Sequence, residues 1–230
     1  MRTALPRVDP PLPRAVIFDW DNTLVDSWVI LHRALCATLT AMGREPWSMA
    51  ETQARLRHSV RDGFPALFGE RADEAEAVFY EAFEAEAEAG LEPLPGAGAL
   101  LAALTERGIA AGVLSNKRGE HLRREVGWLG WDTHFTRVVG AGDAARDKPA
   151  IEAVRAAIPD DGGPDATVWL AGDTDIDLQA GRVAGCTPVL VRAEPPGADE
   201  FADAPPELYF DGCEAMRRWL DDAPIWPERA

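Results

Sequence analysis

Two acids, Asp19 and Asp21, stand directly after the apolar run Ala15-Val16-Ile17-Phe18. Alternate side chains of an extended chain share a face, so both carboxylates can project to one side with Trp20 opposite. Carboxylates crowded in this way repel unless a cation or a shared proton lies between them. Such a pair suits phosphoryl transfer through a covalent intermediate, one carboxylate attacking phosphorus while the other handles the leaving group's proton. A divalent ion beside them would offset the repulsion between a carboxylate nucleophile and an anionic phosphate. Asp is also common in turns, so the pair taken alone reads first as a strand end that binds solvent.

The elements that would position these acids follow from the apolar spacing. Ala15 to Phe18 reads as an interior strand covered on both faces. From Ser27 to Met42 the residues Trp28, Leu31, Leu35, Leu39 and Met42 fall at helical spacing, and Gly43 ends the run. Two shorter helices are expected over 48–57 and 62–69. A longer one lies between Arg71 and Gly90, with Ala75, Val78, Phe79, Ala82 and Phe83 on one face and its glutamates in solvent. Leu91-Glu92-Pro93-Leu94-Pro95-Gly96 closes this all-helical block. Beyond it, strands at 109–114, 137–139, 167–171, 188–191 and 208–210 alternate with helices at 97–107, 119–129, from Pro149 onward, and at 213–221. The alternation predicts an α/β fold, a Rossmann-like parallel sheet sandwiched by helices, with the helical block inserted after the first strand. The expected division is a disordered leader over 1–13, a core over 14–25 and 92–222, the helical insert over 26–91 and a tail over 223–230.

Ligands in open parallel sheets bind beyond the carboxyl ends of the strands. The polar residues at those ends are Asp19 and Asp21, Ser115 and Asn116, Lys148 near a helix start, and Asp173, Asp175 and Asp177. Composition narrows what they could serve. The 230 residues, 47% hydrophobic and 27% charged, describe an ordinary globular chain. A net charge of −16 argues against nucleic acid or an anionic membrane as partner. An anionic substrate then needs locally concentrated positive charge, and lysine occurs only at 117 and 148 among 23 basic residues. The scattered Cys36, Cys186 and Cys213 read as reduced, buried thiols in a cytoplasmic setting. Residues 1–13 hold four prolines and no apolar run, which suits neither a signal peptide nor a membrane anchor.

Four ordered segments carry a family resemblance. Phe18-Asp19-Trp20-Asp21-Asn22-Thr23-Leu24-Val25-Asp26-Ser27, Leu114-Ser115-Asn116, Asp147-Lys148-Pro149 and Gly172-Asp173-Thr174-Asp175-Ile176-Asp177 resemble the motifs of the haloacid dehalogenase superfamily. The likeness is to its phosphoglycolate phosphatase-like and beta-phosphoglucomutase-like branch and runs from about Ala15 to Leu220. It implies that Asp19 is the nucleophile and Asp21 the acid and base. Ser115 and the Asn116 amide would hold the transferring phosphoryl group, and Lys148 would neutralise charge around Asp19. Asp19, the backbone carbonyl of Asp21, Asp173 and Asp177 would hold Mg2+, with Asp177 in the metal shell or just behind it. The insert would be a cap in which His58 and Arg61 occupy substrate-selecting positions.

Each assignment has a plainer alternative. Ser115 could cap the helix that follows it, Asp175 reads as an N-cap or solvent residue, and Lys117 reads as a surface charge. Members of the superfamily that cleave carbon–halogen or carbon–phosphorus bonds lack the second acid of the first motif. Asp21 is present here, and residues 26–91 contain no lysine for an imine. The resemblance therefore implies a phosphatase of a small phosphorylated metabolite, as monomer or homodimer. A sugar-phosphate mutase using the same acids stands beside it, as does a non-catalytic phospho-acceptor module such as a receiver domain.

Overall fold

The computed structural model describes residues 10–55, 60–159 and 162–223. Its centre is β1 (Ala15–Phe18), whose four residues are all fully buried. A strand with no polar residue survives only in the interior of a sheet covered on both faces. β1 pairs in parallel with β4 (Ala110–Arg118) on one side and β6 (Val168–Gly172) on the other. The sheet is completed by β5 (Phe135–Ala141), β7 (Thr187–Val191) and β8 (Leu208–Phe210), in the order β5-β4-β1-β6-β7-β8. Every pairing is parallel.

The alternation along β1 assigns the two faces. Val16 and Phe18 pack with residues of α5 (Ala97–Glu106), α6 (Gly119–Trp128) and α9 (Gly212–Asp222). Ala15 and Ile17 pack with α7 (Ile151–Ala157) and α8 (Asp175–Ala184). The chain leaves β1 toward β4 and β5, then returns across β1 to β6, β7 and β8. The crevice at the carboxyl ends of β4, β1 and β6 is thus the place where the winding reverses, the position such sheets offer to a ligand.

The helical insert departs and returns through a two-stranded antiparallel ribbon, β2 (Val25–Asp26) with β3 (Glu92–Pro93), in which Val25 faces Pro93 and Asp26 faces Glu92. Leu94 N–H donates to the Leu24 carbonyl at 2.9 Å and extends the ribbon toward the core. Between these strands run α1 (Trp28–Ala41), α2 (Met49–Arg55), α3 (Val60–Phe68) and α4 (Ala72–Gly90). They share a separate apolar core: Ile30, Leu35 and Leu39 of α1 meet Phe64 and Phe68 of α3 and Ala75, Phe79 and Phe83 of α4. The spacing of four along α4 puts Ala75, Phe79 and Phe83 on one stripe.

α4 also docks on the core. Tyr80 stacks on His121 of α6 with centroids 4.6 Å apart, and the Arg118 guanidinium lies 4.6 Å from the other ring contact, the Tyr80 centroid. Arg118 pairs with Glu76 at 2.6 Å, and Arg124 pairs with Glu84 at 2.5 Å. His121 Nδ1 is also 2.5 Å from Glu84 without an aligned hydrogen bond. Among the described residues no helix is long and apolar enough to cross a membrane.

The observed elements track the spacing with small shifts at their ends. β4 differs more: the sequence suggests a strand over 109–114, and the strand reaches Arg118, which pairs with Ala141 beyond a break in register. The thiols of Cys186 and Cys213 are buried, Cys36 is half-buried, and all three are free.

Gly112 permits the approach of α7 to the sheet, since a Cβ there would sit 2.3 Å from the Ala157 carbonyl oxygen. A Gly112→Ala variant is expected to lose about 1–3 kcal/mol of stability through overpacking. Chemical denaturation checks this, and an unchanged midpoint would mean that α7 yields without strain.

Candidate active site

Asp19 follows β1 and continues its ladder, its N–H donating to the Ala171 carbonyl of β6 at 2.8 Å. The register fixes what surrounds it. Phe18 is level with Val113 on one side and Ala171 on the other, so Ser115 and Asp173 each lie one residue beyond the level of Asp19. Lys148, in the loop before α7, completes the group: its Nζ is 2.5 Å from Asp19 Oδ1 and 2.7 Å from Asp177 Oδ1. The Thr23 hydroxyl lies 3.2 Å from Asp19 Oδ2 and 3.3 Å from Asp173 Oδ1.

Asp177 is held by its own helix. Thr174 is the N-cap of α8, and Asp177 Oδ2 accepts from the Thr174 N–H at 3.0 Å and from its hydroxyl at 2.7 Å. Together they form a capping box, which satisfies the first amides of the helix while aiming Asp177 Oδ1 at Lys148. The bend that allows this needs Gly172, because a Cβ there would fall 2.2 Å from Asp177 Cγ. Thr174, not Asp175, is therefore the cap; Asp175 is the first residue of the helix.

The loop after β1 is equally determined. Asn22 adopts φ 62°, a left-handed conformation that asparagine tolerates. The N–H groups of Thr23, Leu24 and Val25 converge on the Trp20 carbonyl at 3.3, 2.9 and 3.2 Å. This turn brings Asp21 to Ser27, whose hydroxyl donates to Asp21 Oδ1.

Of the other expected site residues, Ser115 is buried within β4, and its Oγ accepts from the Lys117 N–H at 3.1 Å. It caps no helix, since α6 begins after Arg118. Asn116 Nδ2 donates to the Lys148 backbone carbonyl at 3.2 Å, tying the end of β4 to the lysine loop. Its Oδ1 is buried without a hydrogen-bond partner among the described residues. Arg61 falls on α3, and His58 lies outside the described residues. Lys117 corrects the expectation of a surface charge. Its side chain is 6% exposed, and its Nζ is 2.7 Å from Asp21 Oδ1 and 2.6 Å from Glu125.

The group around Asp19 carries more negative than positive charge. Oxygens of Asp19, Asp173 and Asp177 lie within 4.8 Å of one another. Burial pushes the Asp19 carboxyl up to about 7; the repulsion of Asp177 adds to this and the Lys148 ammonium opposes it. Burial, then the charges of Asp19 and Asp177, hold the Asp173 carboxyl well above the ordinary carboxylate range. Burial works against the Lys148 charge too, but Asp177 and Asp19 outweigh it, so its pKa lies above the ordinary lysine value. A donor set made only of carboxylate oxygens, with unbalanced negative charge, fits a hard divalent cation such as Mg2+. Asp19 and Asp177 both accept from Lys148, and Asp177 Oδ2 is further engaged by Thr174, whereas the only side-chain hydrogen bond Asp173 makes among the described residues is with the Thr23 hydroxyl.

Comparison with known proteins identifies the family. Residues 16–191 match the family model described as haloacid dehalogenase-like hydrolase. The phosphoglycolate phosphatase of Rhodospirillum rubrum is 31% identical over 221 residues, covering 91% of each chain. A Had-superfamily hydrolase from Ehrlichia chaffeensis, 28% identical, superposes with a TM-score of 0.60 over 91% of this chain and 97% of its own. CbbY from Rhodobacter sphaeroides, solved with phosphate, shares the fold with a TM-score of 0.77 at 20% identity, over 91% of this chain and all of that one. The strand-end acids, their buried lysine and the matched length together make this chain a member of the haloacid dehalogenase-like hydrolases.

Proposed function

We propose that the protein is a Mg2+-dependent phosphatase that hydrolyses a small phosphorylated metabolite through an aspartyl-phosphate on Asp19. The observation that carries this reading is the buried contact of Asp19 with Lys148 beside Asp173, on the crevice side of the sheet. An Asp19 oxygen attacks phosphorus, the phosphorus–oxygen ester bond breaks, and Asp21 gives its proton to the departing alkoxide. Asp21 then takes a proton from a water molecule, whose oxygen attacks phosphorus and breaks the bond to Asp19. Ser115 Oγ and the Asn116 amide receive the phosphoryl oxygens, and Lys148 balances charge that would otherwise build up on Asp19. Asp19, Asp173, Asp177 and the Asp21 carbonyl would hold Mg2+, which when bound would supply Lewis-acid stabilisation of the transferring group.

The helical segment 26–91 acts as a cap over the crevice and keeps bulk water from the reacting group. His58 and Arg61 are the cap positions assigned to substrate selection. Curated relatives carry the name phosphoglycolate phosphatase, which makes 2-phosphoglycolate the first substrate to assay.

Purified protein is expected to release inorganic phosphate from 2-phosphoglycolate or an aryl phosphate only with added Mg2+. Asp19→Asn should abolish release, and Lys148→Ala should lower kcat on the order of 10²–10³-fold. Phosphate release by Asp19→Asn at the wild-type rate rules out the covalent route. Isomerised sugar phosphate without net phosphate release would assign a mutase instead.

A second expectation concerns the acids without turnover. Asp19 has a folded-state pKa near 7, above its ordinary 3.8, so the folded protein binds the extra proton and metal-free stability falls as pH rises through that interval. A cation that replaces this proton stabilises most where the proton is already absent. The melting-temperature increase caused by Mg2+ should therefore be larger at pH 7.5 than at pH 5. Equal increases at both values would mean that Mg2+ does not displace a proton from this cluster.

A further inference from the structure

A second buried charge set lies beside the first, and the reaction scheme gives it no task. Lys117 Nζ donates to both carboxylate oxygens of Glu125, at 2.8 and 2.6 Å, and to Asp21 Oδ1 at 2.7 Å. The Trp20 indole N–H donates to Glu125 Oε2 at 2.6 Å. The indole itself is fixed by edge contacts with Trp131 and Phe135, at centroid separations of 5.8 and 6.4 Å. Phe83 of α4 covers the ammonium, its ring centroid 4.5 Å from Nζ.

Glu125 is the unexpected member. It stands on the face of α6 that buries Leu122 and Val126, and its side chain is 1% exposed. An apolar residue would pack there without losing hydration, and exchanging a buried ion pair for apolar side chains is often neutral or stabilising. Stability of the fold is therefore a poor explanation for Glu125. The geometry at Asp21 offers a better one. Two donors, Lys117 Nζ and the Ser27 hydroxyl, converge on Oδ1. Oδ2 has no hydrogen bond among the described residues, and the Asp21 side chain is 21% exposed, the open end of an otherwise buried chain.

We infer that Glu125, acting through Lys117, is a positioning residue for Asp21: the chain Trp20–Glu125–Lys117 immobilises Oδ1 and leaves Oδ2 to exchange the proton with the leaving group. This rests on the role given to Asp21 under the proposed function. Lys117 is a tether in this arrangement and has no direct contact with substrate. Glu125 removes two of its N–H directions, so the third is confined to Asp21.

The test compares phosphomonoesters whose leaving groups differ in their need for a proton. Aryl phosphates depart with little help, whereas alkyl phosphates require protonation in the transition state. With Glu125→Gln, kcat/KM for an alkyl phosphate should fall on the order of 10²-fold while that for p-nitrophenyl phosphate falls only a few-fold. The double variant Lys117→Met with Glu125→Leu removes the buried charges together. It should still fold cooperatively, because relief of two buried charges offsets the acceptor lost to the Trp20 indole N–H, and show the same selective loss. Asp19→Asn serves as the reference and should lose turnover of both ester classes.

An equal loss on both classes, or none, in variants that fold would overturn the positioning role while the covalent mechanism stands. Should Glu125→Gln fail to fold, the double variant decides alone by its alkyl-to-aryl ratio. A double variant that also fails to fold makes the pair a structural element and overturns the inference. Undiminished turnover in Asp19→Asn would remove the mechanism itself, and the positioning role with it.

Discussion

Crowding of like charge at the end of the central strand is the constraint on which the rest of this structure depends. Three carboxylates meet where β1 and β6 stop, and one lysine, Lys148, is held between two of them at 2.5 and 2.7 Å. A buried ammonium without partners would lose its proton, and buried carboxylates without a cation would gain one. Each group here is tolerable only because of its neighbours. That mutual dependence extends outward: Asp177 is aimed by the Thr174 capping box, and Gly172 leaves the space that Asp177 occupies.

The parallel sheet makes the convergence possible. Strands in register place residues from positions 19, 115 and 173 at nearly one level although long segments separate them in sequence. The clustered polar residues stand at or just beyond the ends of buried apolar runs, which hold them still. Thr23 illustrates the economy of this design, since one hydroxyl reaches both Asp19 and Asp173. The loop bearing Lys148 is tied from the opposite side by Asn116.

Most of this architecture was legible from residue types and spacing. Continuous apolar runs mark the interior strands, helical spacing marks the insert, and strand ends collect Asp19, Asp21, Ser115, Asn116, Lys148, Asp173, Asp175 and Asp177, from which the family resemblance singles out Lys148 beside Asp19 with Asp173 and Asp177. The departures from that reading have physical reasons. The expected strand ends at 114 because the residues after it are polar, yet β4 runs to Arg118 because β5 continues alongside it after a register break. The two-residue strands β2 and β3 are too short to carry any periodicity. By its own charge Lys117 reads as a surface residue, whereas its burial is decided by Glu125, eight positions later. An acid between Leu122 and Val126 on the apolar face of α6 was the available signal, because a buried carboxylate demands a partner.

The β2–β3 ribbon carries a consequence for modularity. Entry and exit of the helical insert are hydrogen-bonded neighbours, Val25 opposite Pro93 and Asp26 opposite Glu92, so the chain joins the insert to the sheet at two adjacent points, and the insert makes further contacts with the core through α4. Its own apolar core is separate from those of the sheet. Any subdomain whose termini emerge side by side satisfies the same covalent boundary condition, but its surface would also have to replace the partners that α4 gives Lys117, Arg118, His121 and Arg124.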